Sequence, residues 1–170
     1  DLNGNKIAVI NDIRFKGRQA IEWKEVEKYL KRYVGEAHII ESTKDMVYIG
    51  VDLPEEYAHS NYTNTLKGAN AKAKANAAQG IPEMLMIADE KEYEVNRKDK
   101  HVKDAKYGWY SYVTRFDLPV YGENADIERY NVFRAILLVR HAEDNRLYLY
   151  DIMKIKKETS NLFQSEDLTQ

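Results

Sequence analysis

The stretch from Tyr107 to Lys157 limits the choice of fold more than any other part of the chain. It reads as three consecutive β-strands, Tyr107–Val120, Arg129–Ala142 and Arg146–Lys156. The first is aromatic and β-branched, the second is almost continuously apolar at its centre, and the third alternates. Gly122, Glu123 and Asn124 occupy the first connection and Glu143, Asp144 and Asn145 the second, residue types suited to chain reversals. Short connections make neighbouring strands antiparallel, which predicts a meander. The middle strand carries apolar residues at both parities, Val132, Ile136 and Leu138 against Phe133, Leu137 and Val139. A half-exposed strand shows only one apolar parity, so the middle strand is expected at the centre of a sheet. A two-residue hairpin loop at Asp144 and Asn145 would pair Glu143 with Arg146, and so set His141 opposite Tyr148 and Ala135 opposite Lys154. His141, Tyr148 and Lys154 would then share one face of the sheet.

Ahead of this meander, Ile7 to Ile10 form a short apolar run with the character of a strand. From about Gly17 to Val34, Ile21, Val26, Tyr29, Leu30, Tyr33 and Val34 lie along one stripe, which predicts an amphipathic helix ended by Gly35. Ala37–Ile40 and Met46–Val51 flank a polar turn and predict a small hairpin. Thr63–Gln79, rich in Ala, Lys and Asn, has high helix propensity, and Gly80 followed by Pro82 stops it. Pro82–Ala88 suits a helical turn or a strand, and Asp89–Lys106 reads as a charged connection. The expected architecture is therefore α+β. N-terminal helices and a small hairpin pack on a C-terminal antiparallel meander, in one domain over 1–170 with its core at about 17–160 and a tail at 161–170.

Composition narrows the chemistry. The 170 residues are 44% hydrophobic and 32% charged, with a net charge of −2, so no strong overall field favours polyanions or polycations. The absence of cysteine excludes disulfides, thiolate metal sites and a cysteine nucleophile. No apolar run approaches the roughly 20 residues that span a bilayer, and no signal-like segment is present. Beginning at Asp1 without an initiator Met, the chain reads as an excised piece of a longer protein. Glycine-rich phosphate loops, serine-hydrolase elbows and metal-ligand spacings are missing, so neither a metal nor a cofactor is expected.

Two features point towards nucleic acid. Residues 97–106 hold five Lys or Arg against two Asp, and Tyr107, Trp109, Tyr110 and Tyr112 follow at once. Cations suit phosphates and aromatic faces suit unstacked bases, which makes Lys98, Lys100, Lys103, Lys106, Trp109 and Tyr110 candidate contacts to a single strand. The alternative is a solvated charged loop beside an ordinary aromatic strand. Of the four histidines, His38 reads as a strand residue, and His59 precedes a helix that Ser60 or Asn61 would cap. His101 lies in the basic run, where neighbouring Lys favour its neutral form, and His141 ends the central strand. Two imidazoles, a cation and hydroxyl donors are sufficient for metal-free RNA cleavage through 2′-hydroxyl attack.

The segments HSNYT (His59–Thr63), AKAKANAAQG (Ala71–Gly80), KHVKDAKYGWYSYVTRFDLPV (Lys100–Val120) and YNVFRAILLVRHAEDNRLYLYDIMKIKKETS (Tyr130–Ser160) add a resemblance. They resemble modules at the ends of long phage head-associated (MuF-type) and mobile-element polyvalent proteins. Those modules are similar to the barnase/EndoU/colicin/RelE-like nucleases of polymorphic toxins. The likeness covers roughly residues 17–160. It implies metal-independent ribonuclease chemistry on a sheet face, acting in the cytoplasm and held by an immunity protein. Its residue-by-residue implication is His101 as base, Arg115 or Lys100 as phosphate clamp, His141 with Tyr148 as acid or hydroxyl donor, and Thr159 as a late-strand hydroxyl. A non-catalytic module that binds nucleic acid or a protein partner is the rival expectation. The two differ in whether His101, Arg115, His141 and Tyr148 meet in one cleft.

Overall fold

The computed structural model describes residues 4–94 and 105–158. A seven-stranded sheet is built around the predicted meander, β5 (Trp109–Tyr121), β6 (Ile127–His141) and β7 (Leu147–Lys157). β6 lies between β5 and β7 and buries both parities, Phe133, Ala135, Leu137 and Val139 on one face and Val132 and Leu138 on the other. The rest of the sheet departs from the expected antiparallel meander. The hairpin of β2 (Ala37–Ile39) and β3 (Met46–Tyr48) forms as expected, but β3 joins the sheet by pairing parallel to β7. At the other side, β1 (Ala8–Val9) pairs parallel to β5. The sheet is therefore mixed. Asp89–Glu94, expected to be a connection, forms β4, an added antiparallel strand along the first half of β5. Its sequence, DEKEYE, shows little β propensity, and pairing with the β5 edge makes it a strand.

The helices follow local signals closely. Helix α1 (Trp23–Leu30) buries Val26 and Leu30, then tightens into a 3₁₀ turn over Lys31–Tyr33 and stops before Gly35 at φ +94°. It begins later than expected because Gly17 holds φ +63°, and a Cβ there would collide with the Ala20 carbonyl. The predicted Ala-rich helix is split. Helix α2 (Leu53–His59) precedes α3 (Asn61–Thr65), and α4 (Gly68–Ala77) starts after a break at Leu66 and Lys67. Ser60 caps α3 as expected, its Oγ accepting from the Thr63 N–H at 3.1 Å. Pro82 sits in the first turn of α5 (Ile81–Ile87), so the PEMLMIA stretch is helical. Ala71, Ala73, Ala75 and Ala77 of α4 are buried, since small side chains let the helix sit close to its neighbours.

The register of the β6–β7 pair matches the sequence expectation only at its centre, where Leu137 faces Ile152. The connecting loop is one residue longer than a two-residue turn. The Asn145 N–H donates to the Ala142 carbonyl, and the Ala142 N–H donates to the Arg146 carbonyl. Asn145 takes φ +69°, the left-handed residue that a three-residue loop requires. His141 therefore faces Leu147, and Tyr148 faces Arg140. One bulge follows between Leu138 and Val139, and a second between Arg134 and Ile136 lies across from Lys154 at φ +52°. Consequently His141 and Tyr148 lie on opposite faces of the sheet, not on one.

The N-terminal segment is fastened to the sheet by buried polar contacts. Asn76 accepts from the Phe15 N–H and donates to the Phe15 carbonyl, both at 2.9 Å. The Ile10 N–H donates to the Asp117 side chain at 3.3 Å. Burial pushes the Asp117 carboxyl up to about 6. A carboxyl whose folded value is raised stabilises the fold fully at acid pH, and that contribution is lost as pH rises through about 6. Asp117→Asn keeps an acceptor for Ile10 but cannot ionise. Its urea midpoint is expected to gain on that of the parent as pH climbs from about 4 to 7, and a constant difference would show that Asp117 does not titrate.

Candidate nucleic-acid interface

At the end of the sheet where β4, β5 and β6 run together, four rings form a continuous surface. Tyr93 faces Tyr110 across the β4–β5 pair, with ring centroids 5.1 Å apart. His141 lies 6.0 Å from Tyr110 and 5.1 Å from Tyr107. Tyr110 faces Val139, two residues before His141 on β6, so strand alternation brings both onto the same face. Backbone bonds between Tyr107 and His141 and between His141 and Gly108 anchor the start of β5 to the end of β6. Tyr93 is 52% exposed and Tyr107 45%, so these rings are open to solvent.

Two cations border the rings. The Lys91 ammonium lies 4.4 Å from the Tyr110 centroid and 2.8 Å from the Asp45 carboxylate. The Lys106 ammonium lies 5.6 Å from the Tyr107 centroid. Hydrogen bonds from Lys91 and Tyr112 hold the Asp45 carboxyl below its ordinary range, although burial opposes them as the largest influence. Glu92 and Glu94 alternate with Tyr93 along β4 and so turn to the other face. His141 Nε2 lies 2.7 Å from the Asn145 side-chain oxygen, a contact that suits the tautomer with its proton on Nε2 and Nδ1 as the acceptor.

The other site residues read from sequence fall elsewhere. Trp109 is 2% exposed and packs edge-on against Tyr150 at 4.9 Å, so its ring is not offered to a base. Arg115 faces Arg134 halfway down the sheet, roughly 20 Å from His141 at about 3.3 Å per strand residue. Its guanidinium is held by Glu158 at 2.9 Å. Tyr148 donates to Asp144 at 2.6 Å, which raises the phenol above its ordinary range, and its ring carries the Arg140 guanidinium at 4.4 Å. Arg140 in turn meets Asp52 at 3.3 Å. Arg115, His141 and Tyr148 therefore do not meet in one cleft. His101, Thr159, Lys98, Lys100 and Lys103 lie outside the described residues.

A buried polar cluster at the junction of α2, α3, α4 and β7 has no counterpart in the sequence reading. The Lys74 ammonium, 0% exposed, lies 2.5 Å from both the Asp151 carboxylate and the Thr63 hydroxyl. Ser60 donates to the other Asp151 oxygen at 2.9 Å, and the rings of Tyr57 and Tyr62 lie within 5.0 Å of the ammonium. Burial pulls Lys74 down and Asp151 up, and the attraction between them offsets both tendencies. With no exposure to solvent, this cluster is a feature of the core.

Among the described residues, no group of three or more His, Asp or Glu is placed to hold a metal ion, and no helix is long and apolar enough to cross a membrane. Comparison of the sequence with protein-family models and with curated proteins finds no match.

Proposed function

We propose that this domain binds single-stranded nucleic acid on the face formed by Tyr93, Tyr107, Tyr110 and His141. The observation that carries the reading is the run of four adjacent rings, two of them about half exposed, bordered by Lys91 and Lys106. Stacking on such a surface tolerates any base, and neighbouring cations hold the phosphates. The basic run that leads into Tyr107 extends the same charge pattern in sequence. In fluorescence anisotropy with labelled oligouridine, Tyr107→Ala is expected to weaken binding by about 5- to 100-fold, the cost of one lost stacking contact. Duplex RNA of the same length is expected to bind more weakly, because its bases are already stacked. Equal affinity for both forms, unchanged in the variant, would contradict the reading.

A second reading, metal-independent ribonuclease activity of the toxin type, is favoured by one feature of the same face. His141 presents an acceptor nitrogen beside the rings that would hold a base, where a general base for a 2′-hydroxyl is needed. Arg115 lies too far along the sheet and Tyr148 on its opposite face to share the step, so this reading assigns the leaving-group acid to His101. Cytoplasmic RNA as substrate and an immunity protein as partner go with this reading. EDTA-resistant cleavage of total RNA, lost in both His101→Ala and His141→Ala, supports it. Intact RNA with undiminished strand binding leaves the domain a non-catalytic binding module.

A further inference from the structure

A second basic feature lies away from the aromatic face. The loop before α1 and the start of α4 enclose a cavity of about 430 Å³. Lys16, Arg18, Lys67 and Lys72 line it, and no lining residue is acidic. All four cations are exposed, and none is paired with a carboxylate among the described residues. That concentration is notable in a chain whose net charge is −2. Lys16 and Arg18 also border an adjoining cavity, which Glu22 and Glu25 line as well.

Two further properties give the cavity chemical character. Trp23, the first residue of α1, and Leu66 contribute partly buried apolar surface to it. The ten-residue helix α4 begins at Gly68, with no side-chain cap and no acidic residue in its first turn. The free N–H groups there add partial positive charge to that of the lysines. The loop carrying Lys16 and Arg18 is fixed by Gly17, whose positive φ and contact with Ala20 exclude any Cβ. Four cations and a partly exposed indole in one cavity match a ligand that combines phosphate with a flat aromatic group.

We infer that this cavity binds a nucleotide, its phosphates held by Lys16, Arg18, Lys67 and Lys72 and its base against Trp23. The same chemistry is offered by a free nucleoside triphosphate and by the 5′-phosphorylated end of a strand. The inference does not depend on the aromatic face. Trp23 and Trp109 are the only tryptophans, so a Trp109→Phe protein reports on Trp23 alone. In that protein, saturable quenching of fluorescence by ATP or by a 5′-phosphorylated oligouridine is expected, and adenosine should give none. Lys67→Glu and Lys72→Glu, both at exposed positions, are each expected to weaken the response at least about tenfold. Tyr93→Ala with Tyr107→Ala should leave the ATP response unchanged. Saturation by ATP alone assigns a free nucleotide, and tighter saturation by the strand assigns a strand end. No saturable change with either probe up to about 10 mM, an equal response to adenosine, or unaltered affinity in both charge reversals would overturn the inference.

Discussion

Lys74→Ala is expected to destabilise the fold by about 3–5 kcal/mol, the usual cost of leaving one half of a buried ion pair uncompensated. The loss is large because Asp151 is 1% exposed and has no route to water. The remaining donors to its side chain, the Ser60 hydroxyl and the Ile152 N–H, do not carry a full positive charge. Against a typical total stability of roughly 5–15 kcal/mol, such a loss removes a substantial part of the folded population. Replacing both members, as in Lys74→Met with Asp151→Leu, should recover most of it, because apolar pairs of similar volume often match or exceed buried ion pairs. Urea unfolding of the parent, the single variant and the double variant checks this. A single-variant cost below about 1 kcal/mol would place Lys74 in contact with water and contradict the structure.

Trp109→Ala is expected to cost about 3–5 kcal/mol of stability, as is usual when a large aromatic side chain is cut back in a packed interior. Trp109, Leu138 and Tyr150 form a small second core on the face of the sheet away from the main one, with Met153 packed against them and Ala105 closing it. Removal of the indole leaves a cavity that Leu138, Tyr150, Met153 and Ala105 cannot close. Trp109→Phe should retain most of the stability and bind single strands like the parent. The two variants thereby separate packing from recognition at a residue whose sequence context suggests base stacking. Parent-like unfolding of Trp109→Ala together with weakened strand binding would show that the indole belongs to the interface.

The contrast at Trp109 marks how far local sequence reaches. The meander and the central position of β6 are legible because apolar residues at both parities have only one low-energy placement. The stop signals at Gly35, Gly80 and Pro82 and the cap at Ser60 act over a few residues and are legible for that reason. Trp109 and Tyr110 turn to opposite faces, and Trp109 is buried by the small second core of Ala105, Leu138 and Tyr150 while Tyr110 lies half-buried at the margin of the main core, a difference that no local pattern records. The slip at Tyr148 comes from the three-residue loop and from the bulge that takes it up opposite Tyr150. Nothing in the neighbourhood of Tyr150 or Lys154 announces a bulge, since Lys154 is not among the residues favoured at positive φ.

Long-range pairings were hidden for a different reason. The parallel contacts of β1 with β5 and β3 with β7 join segments about a hundred residues apart and leave no periodicity in either strand. Lys72 and Lys74 look alike in the alternating Ala-Lys pattern, and each lies three and four residues from buried positions, Ala75 and Asn76 for Lys72 and Ala71 and Ala78 for Lys74. No local spacing therefore marks Lys74 as the lysine turned inward. Its partner Asp151, in the alternating third strand, gives no sign either. The aromatic face was half legible: Tyr110 and His141 come from the meander and Lys106 from the basic run before it, whereas Tyr93 and Lys91 depend on β4 forming at all.

The most direct test of the proposed interface is photochemical cross-linking of short oligouridine to the intact domain, with the adducts mapped by mass spectrometry. Adducts concentrated on Tyr93, Tyr107, Tyr110 and His141, and lost when excess unlabelled single strand competes, are the predicted result. Adducts confined to the opposite face at Tyr48 and Tyr148, or spread evenly over the tyrosines, would contradict the assignment of strand binding to this end of the sheet.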